Sequence, residues 1–234
     1  MPARNPNPRE DNFYSQMKLL LTSSGNTNKS IEKELLKLLG RPFNKSNLTF
    51  IPTAANVEEG DKTWLVDDMN NFRKLNFASF DIIDISAVSK SIWLPSFEKA
   101  DILVFGGGNV YHLLKWIKKS GLEILLPELL KTKVYVGISA GSMVTAKSIS
   151  LTSSDILYYE ETGKPKNTKG LGLVDFEIRP HLNSTWFPRV RLEFLEKLAK
   201  ETPNTFYAID DDTAIKIVDS KISIVSEGKW RKFN

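Results

Sequence analysis

The sequence predicts a single α/β domain built as a three-layer sandwich, with a mostly parallel sheet between helices on both faces. Short apolar runs alternate with stretches of helical period through the first two thirds of the chain, as in parallel sheets with helical crossovers. The last apolar runs, with a turn at residues 219–220, predict an antiparallel hairpin at the sheet edge. The chain of 234 residues, 41% of them hydrophobic, is long enough for one such core.

The predicted elements follow one another in a regular order. In the first two thirds, strands are expected at 18–22, 48–52, 80–85, 102–105 and 133–137, and helices at 31–39, 62–75, 96–99, 110–119, 122–131 and from 140 onward. Later strands are expected at 173–178, 206–209, 214–218 and 222–225, with an amphipathic helix at 189–200. Residues 1–16 are polar and rich in Pro and Asn, so we expect a disordered leader or an expression remnant before a domain at 17–234.

The composition excludes several classes of protein. The chain has no cysteine, which excludes cysteine nucleophiles and cysteine metal sites and favours a cytoplasmic location. No apolar run approaches the ~20 residues of a membrane span, so no membrane association is expected. The net charge of +4 is mild and the lysines are scattered, so nucleic acid is not an expected partner. The two histidines lie on separate elements without metal-ligand spacing, so neither a metal nor a cofactor is expected.

The most informative motif is Gly-Ile-Ser-Ala-Gly at residues 137–141, between an apolar run and the start of a helix. Gly-x-Ser-x-Gly at a strand-to-helix junction is typical of a nucleophile elbow, a sharp turn that presents a serine hydroxyl. Ser139 is therefore the candidate nucleophile. A serine hydroxyl also needs a general base, a group that orients the base, and donors that stabilise an oxyanion.

His181 is the candidate base, because it follows a strand-like stretch, whereas His112 lies within a predicted helix. The acid that orients the base is less well determined. Asp155 follows a polar turn after the elbow helix and gives the chain order Ser, Asp, His, which is one of the known orders. The competing carboxylates are Asp175, Glu160, Glu161, Asp210, Asp211 and Asp212.

A glycine run at 106–108, followed by Asn109, comes directly after the strand at 102–105. The N–H of Gly107 or Gly108, together with that of Ala140, would form a two-donor oxyanion hole. The alternative is a phosphate-binding loop, but the run matches neither Gly-x-Gly-x-x-Gly nor the P-loop pattern. Because ligands bind at the carboxyl ends of parallel strands, the turns at 23–26 and 53–56 are expected at the same crevice.

Three motifs in order resemble the peptidase E family of serine peptidases, the aspartyl dipeptidase group related to cyanophycinases. They are Phe-Gly-Gly-Gly-Asn-Val-Tyr-His-Leu-Leu at 105–114, Val-Gly-Ile-Ser-Ala-Gly-Ser at 136–142 and Arg-Pro-His-Leu-Asn at 179–183. The resemblance spans nearly all of 17–234 and implies a class I glutamine amidotransferase-like fold.

The resemblance also implies roles for individual residues. The family's nucleophile falls on Ser139, its histidine on His181, and its acid on the stretch that contains Asp155. Its oxyanion hole falls on Gly107, Gly108 and Ala140. The segment Ala-Ile-Asp-Asp-Asp-Thr-Ala at 208–214 resembles a family stretch that we interpret as mainly structural.

The substrate is less determined than the chemistry. In aspartyl dipeptidase a longer charged loop follows the histidine and contributes to recognition of an N-terminal aspartate, whereas the loop at 183–189 is short. The candidates for substrate binding are Asn109, Arg179 and Arg189, and Arg191 could also supply a cation for a substrate carboxylate. The predicted function is a serine peptidase for dipeptides or short peptides, active as a monomer or homodimer. The alternatives are a cyanophycinase-like hydrolase of β-aspartyl links and a catalytically silent protein that binds a small ligand.

Overall fold

The computed structural model describes residues 17–158 and 167–234, within which strands and helices alternate as expected. The expected leader at 1–16 and the candidate acids Glu160 and Glu161 lie outside these residues. The strands are β1 (Lys18–Thr22), β2 (Asn47–Ile51), β3 (Ser79–Ile82), β4 (Ile102–Phe105), β5 (Val134–Ile138), β6 (Ser148–Ser150), β7 (Asn167–Lys169), β8 (Glu177–Arg179), β9 (Phe206–Ile209), β10 (Thr213–Val218), β11 (Lys221–Ser226) and β12 (Trp230–Phe233). The α-helices are α1 (Lys29–Leu39), α2 (Thr63–Arg73), α3 (Lys90–Lys99), α4 (Val110–Lys119), α5 (Leu122–Leu129), α6 (Ala140–Met143), α7 (Leu151–Tyr158) and α8 (Leu192–Glu201).

A seven-stranded sheet forms the centre of the protein, in the order β11-β10-β1-β5-β4-β2-β3. The five strands from β1 to β3 in this order are parallel, while β10 and β11 form an antiparallel hairpin at one edge. The predicted three-layer α/β architecture with a C-terminal edge hairpin is confirmed. The elbow strand β5 lies between β1 and β4, so the turns that follow all three strands meet at one edge of the sheet. We call this the active-site edge.

The central strands are buried on both faces because both faces bear apolar side chains. In β1, Leu19 and Leu21 face one hydrophobic cluster while Leu20 faces the other. Helices α3, α4, α5 and α6 cover the first face, and α1 and α2 cover the second. Helix α1 shows how the sequence fixes a boundary, because the Asn28 side chain accepts from the N–H of Ile31 at its start and Gly40 ends it at φ 72°.

A second, three-stranded sheet in the order β12-β9-β8 lies outside the central sheet and has its own small apolar cluster. It places the end of β8, which leads to His181, beside the end of β9, which leads to residues 210–212. Strand β12 was not predicted, because residues 230–233 show no apolar period. Helix α7 includes residues 151–154, which were expected to form a polar turn. Helix α3 begins at Lys90, earlier than the expected 96, and it includes Pro95.

None of the helices in the described part of the chain is both long and apolar enough to cross a membrane.

Candidate active site

The chain makes a strained turn at Ser139, and this turn requires glycine at the flanking positions. Ser139 lies between β5 and α6 at φ 47° and ψ −107°, and its N–H donates to the carbonyl oxygen of Thr22 at 3.1 Å. A side chain at Gly137 would lie 2.6 Å from the backbone nitrogen of Ser142, and one at Gly141 would collide with the carbonyl oxygen of Phe105. Only glycine fits at both positions, and the tight turn holds Ser139 in a sparsely populated conformation.

His181 lies against the nucleophile candidate. Its Nε2 is 2.9 Å from the Ser139 Oγ, although the two residues are far apart in the chain. His181 follows β8 at φ 64°, another conformation that is uncommon for a residue with a side chain. The imidazole is stacked on Phe187, with ring centroids 4.7 Å apart, and Tyr158 contacts its edge. This packing fixes the plane of the ring, so Nε2 stays directed at the serine.

The carboxylate at the other imidazole nitrogen is Asp211, and this corrects the expectation for Asp155. The His181 Nδ1 lies 2.7 Å from the Asp211 Oδ1. Asp155 lies on α7, a helix that the sequence had suggested was a turn. The segment 208–214 had been interpreted as mainly structural, yet its central aspartate contacts the histidine because β8 and β9 are neighbours and both end at this point.

Ser23 forms hydrogen bonds with both Asp211 and the backbone of His181. Its Oγ donates to the Asp211 Oδ1 at 2.7 Å and accepts from the N–H of His181 at 2.8 Å. Burial raises the pKa of Asp211, but the hydrogen bond and charge of His181 and the hydrogen bond from Ser23 outweigh it, so the pKa lies below its usual value. The Asp211 carboxylate therefore stays ionised at neutral pH and can stabilise a positive imidazolium.

The glycine run lies beside the nucleophile as expected. The Cα of Gly107 faces Ser139, because a Cβ there would lie 3.5 Å from the Ser139 Cβ. Gly108 has φ 121° and rests directly against the backbone of Ala54, so no side chain fits there. Within residues 17–158 and 167–234 the N–H groups of Gly107, Gly108 and Ala140 have no acceptor. Donors in such positions are available to a substrate oxygen.

Two of the substrate-binding candidates are bound to other groups of the protein. Arg179 is buried within β8, where it forms an ion pair with Glu177 at 2.5 Å and lies over the ring of Phe206. Arg191 donates to the carbonyl oxygens of Ser184, Phe187 and Val190 and so holds the loop that follows His181. Both guanidinium groups thus bind oxygens of the protein itself, and contact of either arginine with a substrate carboxylate stays a prediction.

The other candidates have local roles. The Asn109 side chain caps α4 by accepting from the N–H of His112 at 2.9 Å. Arg189 is exposed, and its Nη1 donates to the carbonyl oxygen of Ile156 on α7 at 3.0 Å. His112 lies on α4 as predicted, and burial, followed by the charge of Lys115, lowers its pKa.

Sequence analysis placed the turn at 23–26 at the crevice and named Asp211 only as a competing carboxylate, without assigning a role to Ser23. Ser23 directly follows β1 and Asp211 lies two residues after β9, and a position among polar residues just past a strand is the one signal that could have indicated them. What the sequence did not contain was the pairing of β1 with β10, which places residues 22 and 214 opposite each other.

The chain is similar to known proteins over most of its length. The model of peptidase family S51 matches residues 19–225. An uncharacterized peptidase of Pasteurella multocida is 30% identical over 192 residues, which cover 81% of this chain and 89% of the relative. A peptidase E of a Nostoc species is 28% identical over 90% of this chain and 86% of its own length.

A solved structure from Listeria monocytogenes, assigned provisionally to peptidase E, superposes with a TM-score of 0.75. It is 27% identical, and the match covers 91% of this chain and 99% of that one. The elbow serine, the histidine against it and the glycine turn therefore belong to a chain that aligns with peptidases over 81 to 91% of its length. This protein is a member of peptidase family S51.

Proposed function

We propose that the protein is a serine peptidase that hydrolyses dipeptides or short peptides through Ser139, His181 and Asp211. The observation that supports this most directly is the continuous chain of contacts from the Ser139 Oγ to the His181 Nε2 and from Nδ1 to Asp211. Both distances, 2.9 and 2.7 Å, are those of hydrogen bonds. A nucleophile, a base and a group that orients the base are thus in contact before any substrate is bound.

In the proposed reaction the His181 Nε2 accepts the Ser139 proton as the Oγ attacks the peptide carbonyl carbon. Asp211 accepts a hydrogen bond from Nδ1–H, which fixes the tautomer and stabilises the imidazolium. The oxyanion accepts from the N–H of Ala140 and from that of Gly107 or Gly108. His181 then protonates the leaving amine, and water releases the acyl group from Ser139 by the reverse proton transfers.

Sequence analysis left open a preference for an N-terminal aspartate, and the placement of the arginines does not favour it. Arg179 and Arg191 are bound to the protein itself. Trp64 lies near Gly107 and Asp211 lies behind His181, and neither is a cation that could pair with an acidic side chain. We therefore propose a peptidase of the peptidase E type without the acidic specificity of aspartyl dipeptidase.

The test is a panel of dipeptides and tripeptides with varied first residues, incubated with the protein and with Ser139→Ala, with free amino acids measured. We expect release that depends on Ser139, and labelling of the intact protein by a fluorophosphonate that Ser139→Ala abolishes. Cleavage of β-aspartyl dipeptides alone would favour the cyanophycinase-like alternative. Failure of both cleavage and labelling would refute the peptidase proposal in favour of a ligand-binding protein.

A further inference from the structure

The loop at 183–189 is the segment that sequence analysis found to be short, and the proposed mechanism gives it no role. It turns back onto the histidine that it follows. The N–H of Asn183 donates to the carbonyl oxygen of Val190 at 2.9 Å, and the N–H of Ser184 donates to the carbonyl oxygen of His181 at 3.0 Å. These hydrogen bonds close the loop at its base, so the residues within it stay beside the imidazole.

Phe187, near the end of this loop, covers one face of the imidazole. The ring centroids of Phe187 and His181 are 4.7 Å apart and the ring planes differ by 27°, which is a stacked arrangement. Tyr158 lies edge-on to both rings, with its centroid 5.4 Å from that of Phe187 and 6.5 Å from that of His181. Phe187 is partly buried, because it also packs against the apolar cluster of the second sheet. It therefore presents its π face to His181.

The face of an aromatic ring attracts positive charge, because the ring quadrupole is negative there. In the proposed reaction His181 is neutral until its Nε2 takes the Ser139 proton, so the positive charge appears next to the Phe187 ring. The attraction extends to about 6 Å from the ring centroid, and the imidazole lies inside this range. Asp211 stabilises the same charge within the imidazole plane, at Nδ1, whereas Phe187 contacts it from the face. The two groups therefore act on the imidazolium from different directions.

We propose that Phe187 stabilises the imidazolium form of His181 through its π face during the reaction. This rests on the proposed peptidase function, because the positive charge arises when His181 takes the proton of Ser139. Phe187 acts through His181, so it is a positioning residue whose contribution is electrostatic as well as steric. The charge is present in the transition state and not in the complex with uncleaved substrate. Loss of the π face should therefore lower kcat and leave KM nearly unchanged.

Arg191 holds Phe187 against the imidazole. Its Nη1 donates to the carbonyl oxygens of Phe187 and Val190, at 3.1 and 3.0 Å, and its Nη2 donates to that of Ser184 at 2.9 Å. The N–H of Val190 donates to the same Phe187 oxygen at 3.0 Å. One planar guanidinium thus joins both ends of the loop to the residue that carries the ring. Arg191 is therefore the second positioning residue of this proposal.

Packing alone predicts a different response to substitution. A ring that only fills space beside His181 can be replaced by an apolar side chain of similar volume at small cost. A ring that acts through its π face cannot be replaced in this way, because an aliphatic side chain has no quadrupole. Fluorine on the ring separates the two roles further, since it withdraws electrons from the face and changes the shape of the ring only slightly. The proposal is therefore tested by changing the electrons of Phe187 at nearly constant shape.

The first experiment replaces Phe187 with 4-fluoro- and 3,4,5-trifluorophenylalanine by site-specific incorporation. On a dipeptide that the wild type cleaves, we expect kcat to decrease with added fluorine, by about three- to thirtyfold for the trifluoro ring, with KM nearly unchanged. Phe187→Leu should show the full loss, and Phe187→Tyr should retain most of the wild-type kcat. The same fluorinated series at Phe43 is the matched control. Phe43 precedes β2 and packs on Phe77 at the other end of the sheet, so kcat should not change.

Arg191 is tested through its effect on Phe187. Arg191→Met removes the hydrogen bonds to the loop, so kcat should decrease by a factor similar to that of Phe187→Leu. Fluorine at position 187 should then have little further effect, because the ring no longer rests on the imidazole. An undiminished response to fluorine in Arg191→Met would remove Arg191 from the proposal.

A second measurement needs no turnover. The chain has two histidines, so comparison with His112→Gln assigns the imidazole ¹⁵N resonances of His181. Between pH 5 and 8 we expect a smaller fraction of His181 to carry two protons in the trifluoro variant than in the wild type at the same pH. Asp211, the charged group at Nδ1, is present in both proteins, so the difference reports the ring alone.

Three results would overturn the assignment. Equal kcat and equal protonated fractions across the fluorinated series would mean that the ring acts by packing alone, whatever the effect of Phe187→Leu. An increase in KM without a decrease in kcat would place Phe187 in contact with the substrate instead. An equal decrease of kcat in the Phe43 series would show that the loss does not arise at the imidazole. Thermal unfolding of each variant verifies that it is folded.

Failure of the peptidase proposal would be distinguishable from failure of this one. If the wild type cleaves no peptide, the peptidase proposal fails, and the protonated fractions still decide whether Phe187 stabilises the imidazolium. An active peptidase whose protonated fraction of His181 does not respond to fluorine would refute the role of Phe187 alone.

Discussion

The Asp211 Oδ1 lies 2.7 Å from the Nδ1 of His181, across thirty residues of chain. The same oxygen accepts a hydrogen bond from the Ser23 Oγ, and that Oγ in turn accepts a hydrogen bond from the N–H of His181. The imidazole is therefore held by its backbone, by its Nδ1 and by the face of Phe187. Its only remaining polar atom, Nε2, is directed at Ser139.

This geometry predicts that Asp211→Asn lowers kcat by about 10²- to 10⁴-fold, because an amide favours the wrong imidazole tautomer and cannot stabilise the imidazolium. Asp155→Asn, the acid favoured by sequence order, should lower kcat by less than about threefold. Both are measured by steady-state kinetics on a dipeptide that the wild type cleaves. A large loss in Asp155→Asn with little loss in Asp211→Asn would return the assignment to Asp155.

Ser23 is expected to act as a positioning residue. Ser23→Ala removes two hydrogen bonds that hold Asp211 and the His181 backbone, so kcat should decrease by about 5- to 50-fold with KM nearly unchanged. Ser24→Ala changes the next residue of the same turn and serves as the control. An increase in KM without a decrease in kcat would show instead that Ser23 contacts the substrate.

Gly107 and Gly141 should respond differently to alanine. The methyl group of Gly141→Ala would collide with the Phe105 carbonyl oxygen, so this variant should be strongly destabilised or fail to fold. In Gly107→Ala the methyl group would meet neighbours at 3.5 Å or more, so stability should change by less than about 1 kcal/mol. Because that methyl group faces Ser139, activity and fluorophosphonate labelling should nevertheless decrease by at least tenfold. Thermal melts and labelling rates measure both effects.

The buried Asp68 carboxyl should make the free energy of unfolding depend on pH. Its folded-state pKa of about 7 lies above the unfolded value near 4, so its contribution to stability is fully present below about pH 4. The contribution is lost as the pH rises through 7, where the buried group must ionise. Asp68→Asn should therefore stabilise the protein at pH 8 relative to the wild type, by about 1–4 kcal/mol at 1.36 kcal/mol per pKa unit.

At pH 5 the unfolding free energies of Asp68→Asn and the wild type should lie closer together, because the carboxyl is then largely protonated in the folded state. Denaturant unfolding at the two pH values measures the difference. A destabilised Asp68→Asn at pH 8 would contradict the interpretation of Asp68 as an unpaired buried charge.

Arg179 is expected to stabilise the fold rather than to bind substrate. Arg179→Met leaves Glu177 buried without its ion-pair partner, which typically costs about 3–5 kcal/mol. The KM of the folded variant should remain that of the wild type. An increase in KM at unchanged stability would restore the expectation that Arg179 binds substrate.

The sequence alone determined most of the fold and indicated the candidate nucleophile, for local physical reasons. Apolar runs such as Leu103 to Phe105 and Val134 to Val136 can be buried on both faces only inside a parallel sheet with helices on either side. Gly137 is required by backbone atoms of the same turn, and Gly141 is required by the carbonyl oxygen of Phe105. The motif therefore indicates the geometry of the turn directly. His181 stood out because the chain has one other histidine.

Only the tertiary structure decided which carboxylate meets His181. Asp155 and Asp211 have the same chemistry and each lies in a polar stretch of the sequence, so no local pattern separates them. The choice was made by strand pairing: β8 beside β9 places the segments after them together, and β1 beside β10 places Ser23 next to Asp211. Strand neighbours are fixed by long-range burial, which sequence periodicity does not specify. For the same reason Arg179 was found buried in an ion pair with Glu177, while Asp68 became visible as an unpaired carboxyl only when α2 was seen against the turn at Gly25.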